Sequence, residues 1–156
     1  MQKYFLIYKM DNKEESNRHI AVLILRVLLG LIFLMAGYGK VFKIGTETIY
    51  LDMLNQFQNT FLPKSLIWAT AYYTSYIELI CGFLSLFGIF KNISLYFLGS
   101  VLIIISFGHG LIDPIWDLHH LFFRAVFLVT LLLLPADWDK YSVDAFLLNF
   151  RKIKKI

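Results

Sequence analysis

Four apolar stretches dominate this 156-residue chain. They run over residues 20–42, 65–90, 93–113 and 114–135, and each approaches or exceeds the roughly 20 residues that a helix needs to cross a bilayer. The connections between the second and third stretches and between the third and fourth are very short, which makes consecutive helices antiparallel neighbours. The sequence therefore predicts an all-α fold, an integral membrane four-helix bundle with residues 20–136 as its transmembrane domain.

Positive charges outside the apolar stretches predict the orientation of this bundle. Most of them lie in residues 1–19 and 137–156, whereas the opposite side has only Lys43 and Lys64, with Lys40 at a helix end. Because cytoplasmic segments collect Lys and Arg, we predict a multi-pass protein with a cytoplasmic N-terminal segment and a cytoplasmic basic tail. The net charge of +4 then reflects membrane topology, and we expect no nucleic-acid partner.

Two further segments have amphipathic patterns. Residues 46–62 place apolar residues at helical spacing with Asp52 and Asn55 between them, which predicts an outer interfacial helix between the first and second spans. Residues 143–156 combine Phe and Leu residues with four basic ones. This tail either lies along the anionic inner leaflet or is a solvated tail that only sets topology.

Ionisable residues inside the spans are the functional lead, because a charge there costs at least about 2.5–3.5 kcal/mol unless it is paired or faces a cavity. The candidates for ligand binding or proton handling are Arg26, Glu78, His109, His120 and Arg124. At about 1.5 Å per residue, Glu78 and Arg124 share one level, and the side chain of Arg26 can extend toward Glu78. Three secondary candidates lie at helix ends: Lys40, Asp113 and Asp117.

The helical period also places small residues beside the charges. On the first span, one narrow stripe contains Arg26, Gly30, Phe33, Gly37 and Lys40, and on the second span a stripe contains Glu78, Gly82 and Ser85. Small residues let membrane helices approach closely. We therefore expect the charged stripes to be the packing faces as well.

Each candidate also has a purely structural interpretation. Glu78 with Arg26 or Arg124 is equally well a buried ion pair that fixes helix register. His109 and His120 lie at one height on neighbouring helices and could ligate a haem or a metal. Hydrogen bonds to nearby polar side chains are the favoured role for both histidines, so we predict no metal site and give haem little weight.

Several motifs along the chain resemble those of a known family. The run from Arg26 to Phe33, continued through Ala36-Gly37 to Lys40, is similar to the opening helix of the DoxX family of small bacterial membrane proteins. Similar elements of that family fall at residues 61–63, 78–88 and 142–144, so the resemblance covers almost the whole chain. The family motif residues carried over are Arg26, Gly30, Gly37, Lys40, Glu78 and Gly82.

This resemblance implies a four-helix protein of the bacterial cytoplasmic (inner) membrane. Relatives include a subunit of thiosulfate:quinone oxidoreductase and components of membrane-associated complexes that cope with oxidative stress. Distant relatives assist the maturation of disulfide-containing enzymes, but a chain whose only cysteine is Cys81 cannot relay a dithiol by itself.

We therefore expect a redox-linked membrane subunit that holds a quinone, or a similar apolar ring with polar oxygens, near Glu78, Arg124 and His120. The electrons would come from a protein partner, so any enzymatic activity belongs to a quinone-linked oxidoreductase complex. One alternative is a non-catalytic scaffold or assembly factor for a partner complex. A weaker alternative is a small transporter or lipid-binding protein, which would need to form a homo-oligomer in the bilayer.

Overall fold

The computed structural model describes residues 2–113 and 119–153, with side chains for 13–113 and 121–150. These residues form helices and turns without strands, which confirms the predicted all-α class. In chain order the helices are α1 (Gln2–Tyr38), α2 (Thr46–Gln56), α3 (Lys64–Phe87), α4 (Lys91–Ile112), α5 (His119–Leu133) and α6 (Val143–Ile153). A π-helical turn, Gly39–Ile44, extends α1, and a 3₁₀ turn, Ala136–Trp138, follows α5.

The closest packing in the fold is between α1 and α3, which run antiparallel. A Cβ built on Gly30 would lie 2.7 Å from the Cα of Leu86, and one built on Gly37 or Gly82 would overlap the backbone of the facing helix. Only glycine allows the two backbones to come this close. The predicted packing role of the two small-residue stripes is thereby confirmed.

The hydrophobic core lies where α1 and α3 meet α4 and α5. Its buried members are Val22, Leu29, Phe33, Cys81, Leu95, Leu98, Leu102, Leu128 and Leu131. Tyr73 of α3 and Ser100 of α4 form a hydrogen bond of 2.7 Å between their hydroxyl oxygens, which ties these two helices together at their outer edge. These contacts hold α3 between two neighbours and position the charged side chains on it.

Residues 2–19 belong to α1, which begins at Gln2 and continues without a break into the first apolar stretch. Its polar part contains neither glycine nor proline. Two pairs spaced one helical turn apart, Glu14 with Arg18 at 3.7 Å and Glu15 with His19 at 3.4 Å, support the helix there. The sequence marks where the apolar span starts, which is a different boundary from the start of the helix.

Two described helical segments, Lys13–Ile44 and Lys91–Ile112, are long and apolar enough to cross a membrane, and Leu121–Leu133 is a shorter apolar helix. The residues of the predicted second span form α3, which is 24 residues long and rich in Tyr, Ser and Thr and is not one of these two segments. Residues 114–118 of the predicted fourth span lie outside the described residues. The helix predicted over residues 46–62 is shorter, because α2 ends at Gln56 and a turn follows.

The connection between α3 and α4 is held by the segment after α5. Gly88 ends α3 in the left-handed conformation, with φ of 67°, and the Gly88 and Ile89 N–H groups donate to the Ser85 and Leu84 carbonyls. The Asp144 carboxylate accepts hydrogen bonds of 3.1 Å from the N–H groups of both Phe90 and Lys91. Asp144 thus caps the first turn of α4 from a distant part of the chain.

We expect Asp144→Ala to lower the free energy of unfolding by about 1 kcal/mol, the usual effect of losing an N-terminal helix cap. The loss includes the favourable interaction of a negative charge with the amino end of the α4 dipole. Asp137→Ala is the matched control, since Asp137 is exposed in the 3₁₀ turn and caps no long helix. Thermal unfolding in detergent should show a lower midpoint for Asp144→Ala alone; equal midpoints would contradict the capping role.

Candidate functional site

An ion pair inside the helical packing joins Lys40 and Glu78. The Lys40 Nζ lies 2.7 Å from the Glu78 Oε2. Glu78 is completely buried on α3, whereas Lys40 is 25% exposed. The Glu78 carboxylate has no well-oriented hydrogen bond within the described part of the chain, so the ammonium group of Lys40 is its main compensation. Apolar surroundings disfavour an unpaired charge, and each member of the ion pair compensates the charge of the other.

Lys40 reaches this position from the π-helical turn at the end of α1. A π-helical turn widens the helix and changes the direction of its side chains, and such turns are frequent at functional sites. Gly45 follows with φ of 89°, a conformation that favours glycine, and α2 begins at the next residue. The turn therefore both directs Lys40 toward α3 and lets α2 fold back beside α3 and α4.

A cavity of about 520 Å³ lies between α2, α3 and α4, and Lys40 forms part of its wall. We call it the α2–α4 cavity. Its lining is mostly apolar, with Ile49 and Met53 from α2, Ile67 from α3 and Ile104 from α4, and it includes a few polar side chains: Lys40, Gln56, Thr70, Thr74 and His109. A largely apolar pocket with a few polar groups is the usual form of a small-molecule site.

The α2 segment covers one side of this cavity. Phe57, just after α2, is buried and packs against Gly108 of α4, where a built Cβ would lie 3.2 Å from the Phe57 Cζ. Tyr72 of α3 donates a hydrogen bond of 3.0 Å to the Glu47 carboxylate. These two contacts hold α2 to α3 and α4 and set the width of the cavity between them.

Arg26 does not join Glu78, contrary to the predicted reach of its side chain. Its guanidinium donates hydrogen bonds to Asp139 Oδ1 at 3.2 Å, to the Leu86 carbonyl at 2.5 Å and to the Tyr141 carbonyl at 2.9 Å. The antiparallel packing places Arg26 at the carboxyl end of α3, where backbone carbonyls lack helical partners and the helix dipole is negative. Glu78 lies about two helical turns away.

Asp139 was missed by the sequence interpretation because it lies in the predicted cytoplasmic tail. It is only 3% exposed, and its second carboxylate oxygen lies 3.6 Å from the Lys91 Nζ. We call Arg26, Lys91 and Asp139 the Arg26 cluster. It joins α1 to the start of α4 and to the segment after α5. The one available sequence signal is a pair of acidic residues, Asp137 and Asp139, shortly after the last apolar stretch.

Arg124 is also apart from Glu78. Its guanidinium carbon lies 5.6 Å from the centre of the Phe33 ring, a cation–π contact between α5 and α1. Within the described side chains no ion pair joins Arg124 to Glu78. The sequence predicts that Glu78 and Arg124 lie at the same level, but their side chains do not form a pair, because Glu78 faces α1 and the π-helical turn.

The predicted histidine pair is placed only in part. His109 is exposed near the end of α4 and lines the α2–α4 cavity, and its carbonyl accepts a 2.9 Å hydrogen bond from the Asp113 N–H. His120 belongs to α5 by its backbone, but its side chain and the whole of Asp117 lie outside what is described. Among the described residues no group of three or more His, Cys, Asp or Glu could hold a metal ion.

A second, polar cavity of about 380 Å³ lies between the amino-terminal part of α1 and the turn after α5. His19 donates a hydrogen bond of 2.8 Å to the Trp138 carbonyl, and Lys140 donates one of 2.6 Å to Glu15. The hydrogen bond from Lys140 lowers the pKa of the Glu15 carboxyl. Since Glu15 and Lys140 are exposed, this pair adds little to stability and serves to close the end of the fold.

One of the comparisons with known proteins gives a match. The sequence model of the DoxX family matches residues 21–110, which is more than half of the chain. The matched region includes Arg26, Lys40, Glu78 and His109, and it ends before Arg124 and Asp139. No curated protein and no solved structure matches the chain. The chain therefore belongs to the DoxX family of membrane proteins.

Proposed function

We propose that this protein is a redox-linked subunit of the bacterial cytoplasmic membrane that binds a quinone, or a similar apolar ring with polar oxygens, in the α2–α4 cavity. In this proposal α1, α3, α4 and α5 are four membrane spans, α2 lies in the outer interface, and both termini are cytoplasmic. A protein partner supplies the electrons. The observation that carries the proposal is an apolar cavity whose wall includes Lys40, with the buried Glu78 paired to Lys40 behind it.

The size and lining of the cavity suit this class of ligand. Its volume of about 520 Å³ falls within the roughly 300–1,000 Å³ of typical ligand pockets. Leu66, Ile103 and Phe107 line it and are also exposed on the surface of the helices. The cavity thus opens toward the side that lipid would cover, and a ligand dissolved in the bilayer can enter without crossing the aqueous phase.

The Lys40–Glu78 pair supplies the polar chemistry. The Lys40 ammonium has three donor hydrogens, so it can keep its contact with Glu78 and donate another hydrogen bond to a ring oxygen. Reduction of a quinone needs protons delivered beside the ring. Lys40 lines the cavity and the ionised Glu78 lies directly behind it, so an ammonium N–H can transfer its proton to a ring oxygen as the partner supplies the electrons. The neutral amine is then reprotonated from the cavity side.

A binding experiment tests this proposal. We expect Lys40→Met to raise the Kd of the purified protein for decylubiquinone by at least tenfold, equivalent to about 1.4 kcal/mol, because the donor at the polar end of the cavity is lost. The matched control is Lys43→Met, since Lys43 lies on the same turn but is exposed over the Tyr38 ring, with its Nζ 6.0 Å from the ring centre. Calorimetric titration in mild detergent measures both constants.

Lys40→Met alone leaves Glu78 buried without its partner, so a double variant, Lys40→Met with Glu78→Gln, removes both charges and keeps the packing volume. It should fold and bind decylubiquinone as weakly as the single variant. If the single and double variants both bind as tightly as the Lys43→Met control, the quinone site is not at Lys40 and the proposal fails.

A scaffold or assembly role is the second candidate, and the Arg26 cluster favours it. This cluster lies about 21 Å along α1 from Lys40, at 1.5 Å per residue, and its bonds fix several chain segments without lining the α2–α4 cavity. A scaffold would keep its partner when Lys40 and Glu78 are both replaced. Quantifying co-purified partner for wild type and the double variant, alongside decylubiquinone binding, separates the two roles.

A further inference from the structure

The helix α6 presents an unusually apolar surface for a helix outside the main packing. Phe146 is 61% exposed and Phe150 is 58% exposed, and their ring centres lie 4.9 Å apart on one face of the helix. Leu147 is also exposed beside them. In water such a cluster of large apolar side chains is unfavourable, so it indicates a surface that is normally covered.

The beginning of α6 is fixed at the turn between α3 and α4. The Asp144 N–H donates a hydrogen bond of 3.1 Å to the Gly88 carbonyl, and the Asp144 carboxylate caps α4. A Cβ built on Gly88 would lie 2.5 Å from the Ser142 Cβ, so the two segments touch directly. Since α3 ends and α4 begins at this turn, α6 starts at the level where the apolar helices end.

The charge of the neighbouring residues indicates whether lipid or a protein partner covers this apolar surface. After Asp144 the chain carries no acidic residue, and its last six residues include Arg151, Lys152, Lys154 and Lys155. Basic residues that follow an exposed apolar helix face are the pattern of helices that lie in the interface of an anionic membrane. The apolar face and the basic end occur together on one helix, and this combination favours an anionic lipid surface as the covering.

We propose that α6 lies flat in the interface of an anionic lipid bilayer, with Phe146 and Phe150 toward the acyl chains and the basic end bound to anionic headgroups. The hydrogen bonds of Asp144 set the depth of its first turn, and the apolar face then follows the plane of the membrane. This surface is separate from the α2–α4 cavity, so the proposal does not depend on quinone binding.

Helix geometry supplies a matched pair of labelling positions for a test. Phe150 and Leu148 are 58% and 59% exposed, but two residues on a helix point about 200° apart, so they occupy opposite faces. In a Cys81→Ala background, Phe150→Cys and Leu148→Cys each give one site for an environment-sensitive fluorophore. The full chain is placed in nanodiscs of phosphatidylcholine and phosphatidylglycerol that contain a lipid with a spin label near the headgroup.

We expect the spin-labelled lipid to quench the fluorophore at position 150 at least fivefold more strongly than the one at position 148. Equal quenching at both positions would overturn the proposal, because a solvated or freely rotating tail does not distinguish the two faces. A label at position 150 that is shielded from water but not quenched by the lipid would also overturn it and would assign the face to a protein partner.

The lipid composition tests the charge requirement. Nanodiscs of phosphatidylcholine alone should reduce the quenching at position 150 by at least half, and the variant with Lys152→Gln, Lys154→Gln and Lys155→Gln should behave the same way even with phosphatidylglycerol present. Quenching that is unchanged in both experiments would overturn the assignment of the basic end to anionic headgroups.

Discussion

Arg26→Ala is expected to lower the free energy of unfolding by about 3–5 kcal/mol, the range for removing one partner of a buried ion pair. The Arg26 side chain is 2% exposed and donates hydrogen bonds to the Asp139 carboxylate and to the carbonyls of Ser85, Leu86 and Tyr141. Without it, Asp139 remains buried with only the more distant Lys91, and the carboxyl end of α3 loses its cation.

The matched control for this prediction is Arg18→Ala. Arg18 lies two turns earlier on α1, is 52% exposed, and makes an ion pair with Glu14 and a cation–π contact with Trp138, interactions worth under about 1 kcal/mol at the surface. Size-exclusion recovery and thermal unfolding in mild detergent measure both variants. A midpoint for Arg26→Ala within a degree of that for Arg18→Ala would show that the buried cluster contributes no net stability.

The double variant, Arg26→Ala with Asp139→Ala, removes both charges of this pair. We expect it to be less destabilised than the sum of the two single variants, because each single change leaves a charge buried and the double change does not. The difference is the coupling energy of the pair. A strictly additive result would indicate that Arg26 acts through its backbone carbonyl contacts alone.

The helix faces could be predicted from the sequence, because the helical period depends only on the backbone. The period placed Gly30, Gly37 and Gly82 on the faces where α1 and α3 meet, and it placed Lys40 and Glu78 on the same two faces. These predictions needed no knowledge of how the helices are arranged, since glycine is uniquely suited to close helix approach.

The pairing of the charges could not be predicted in the same way. Heights were counted from the end of each apolar stretch, but the relative shift of two helices depends on their turns and packing. Where α1 packs against α3, Arg26 lies beyond Leu86, and Glu78 lies opposite the π-helical turn. A π-helical turn has no sequence signature of comparable strength, so the partnership of Lys40 and Glu78 emerges only in three dimensions.

Asp139 and the cavity illustrate a second limit. The sequence assigned residues 137–156 to a cytoplasmic basic tail, because charge density there is high, but Asp139 is buried and bonded to Arg26 of α1. The α2–α4 cavity depends on how α2 folds back over α3 and α4, which involves contacts such as Phe57 with Gly108. Long-range contacts of this kind leave no periodic pattern in the segments that make them.

The close packing of α1 against α3 leads to the other large prediction. We expect Gly37→Ala to lower the free energy of unfolding by about 1–3 kcal/mol or more, the cost of overpacking a tight contact. A Cβ at position 37 would overlap the backbone of Leu79, and backbone atoms cannot move aside as a side-chain end can. The helices must then separate. Separation also weakens the ion pair between Lys40 and Glu78, because Glu78 is the residue next to Leu79.

Gly99→Ala distinguishes this effect from the general behaviour of glycine in helices. Gly99 lies in α4, where a built Cβ would meet only the Leu128 Cδ2 at 3.8 Å, an ordinary contact. Alanine is preferred over glycine in a helix by up to about 1 kcal/mol, so Gly99→Ala should leave the thermal midpoint unchanged or raise it, while Gly37→Ala lowers it. If Gly37→Ala also leaves the midpoint unchanged or raises it, helix propensity governs the response, and the packing of α1 against α3 tolerates a Cβ at position 37.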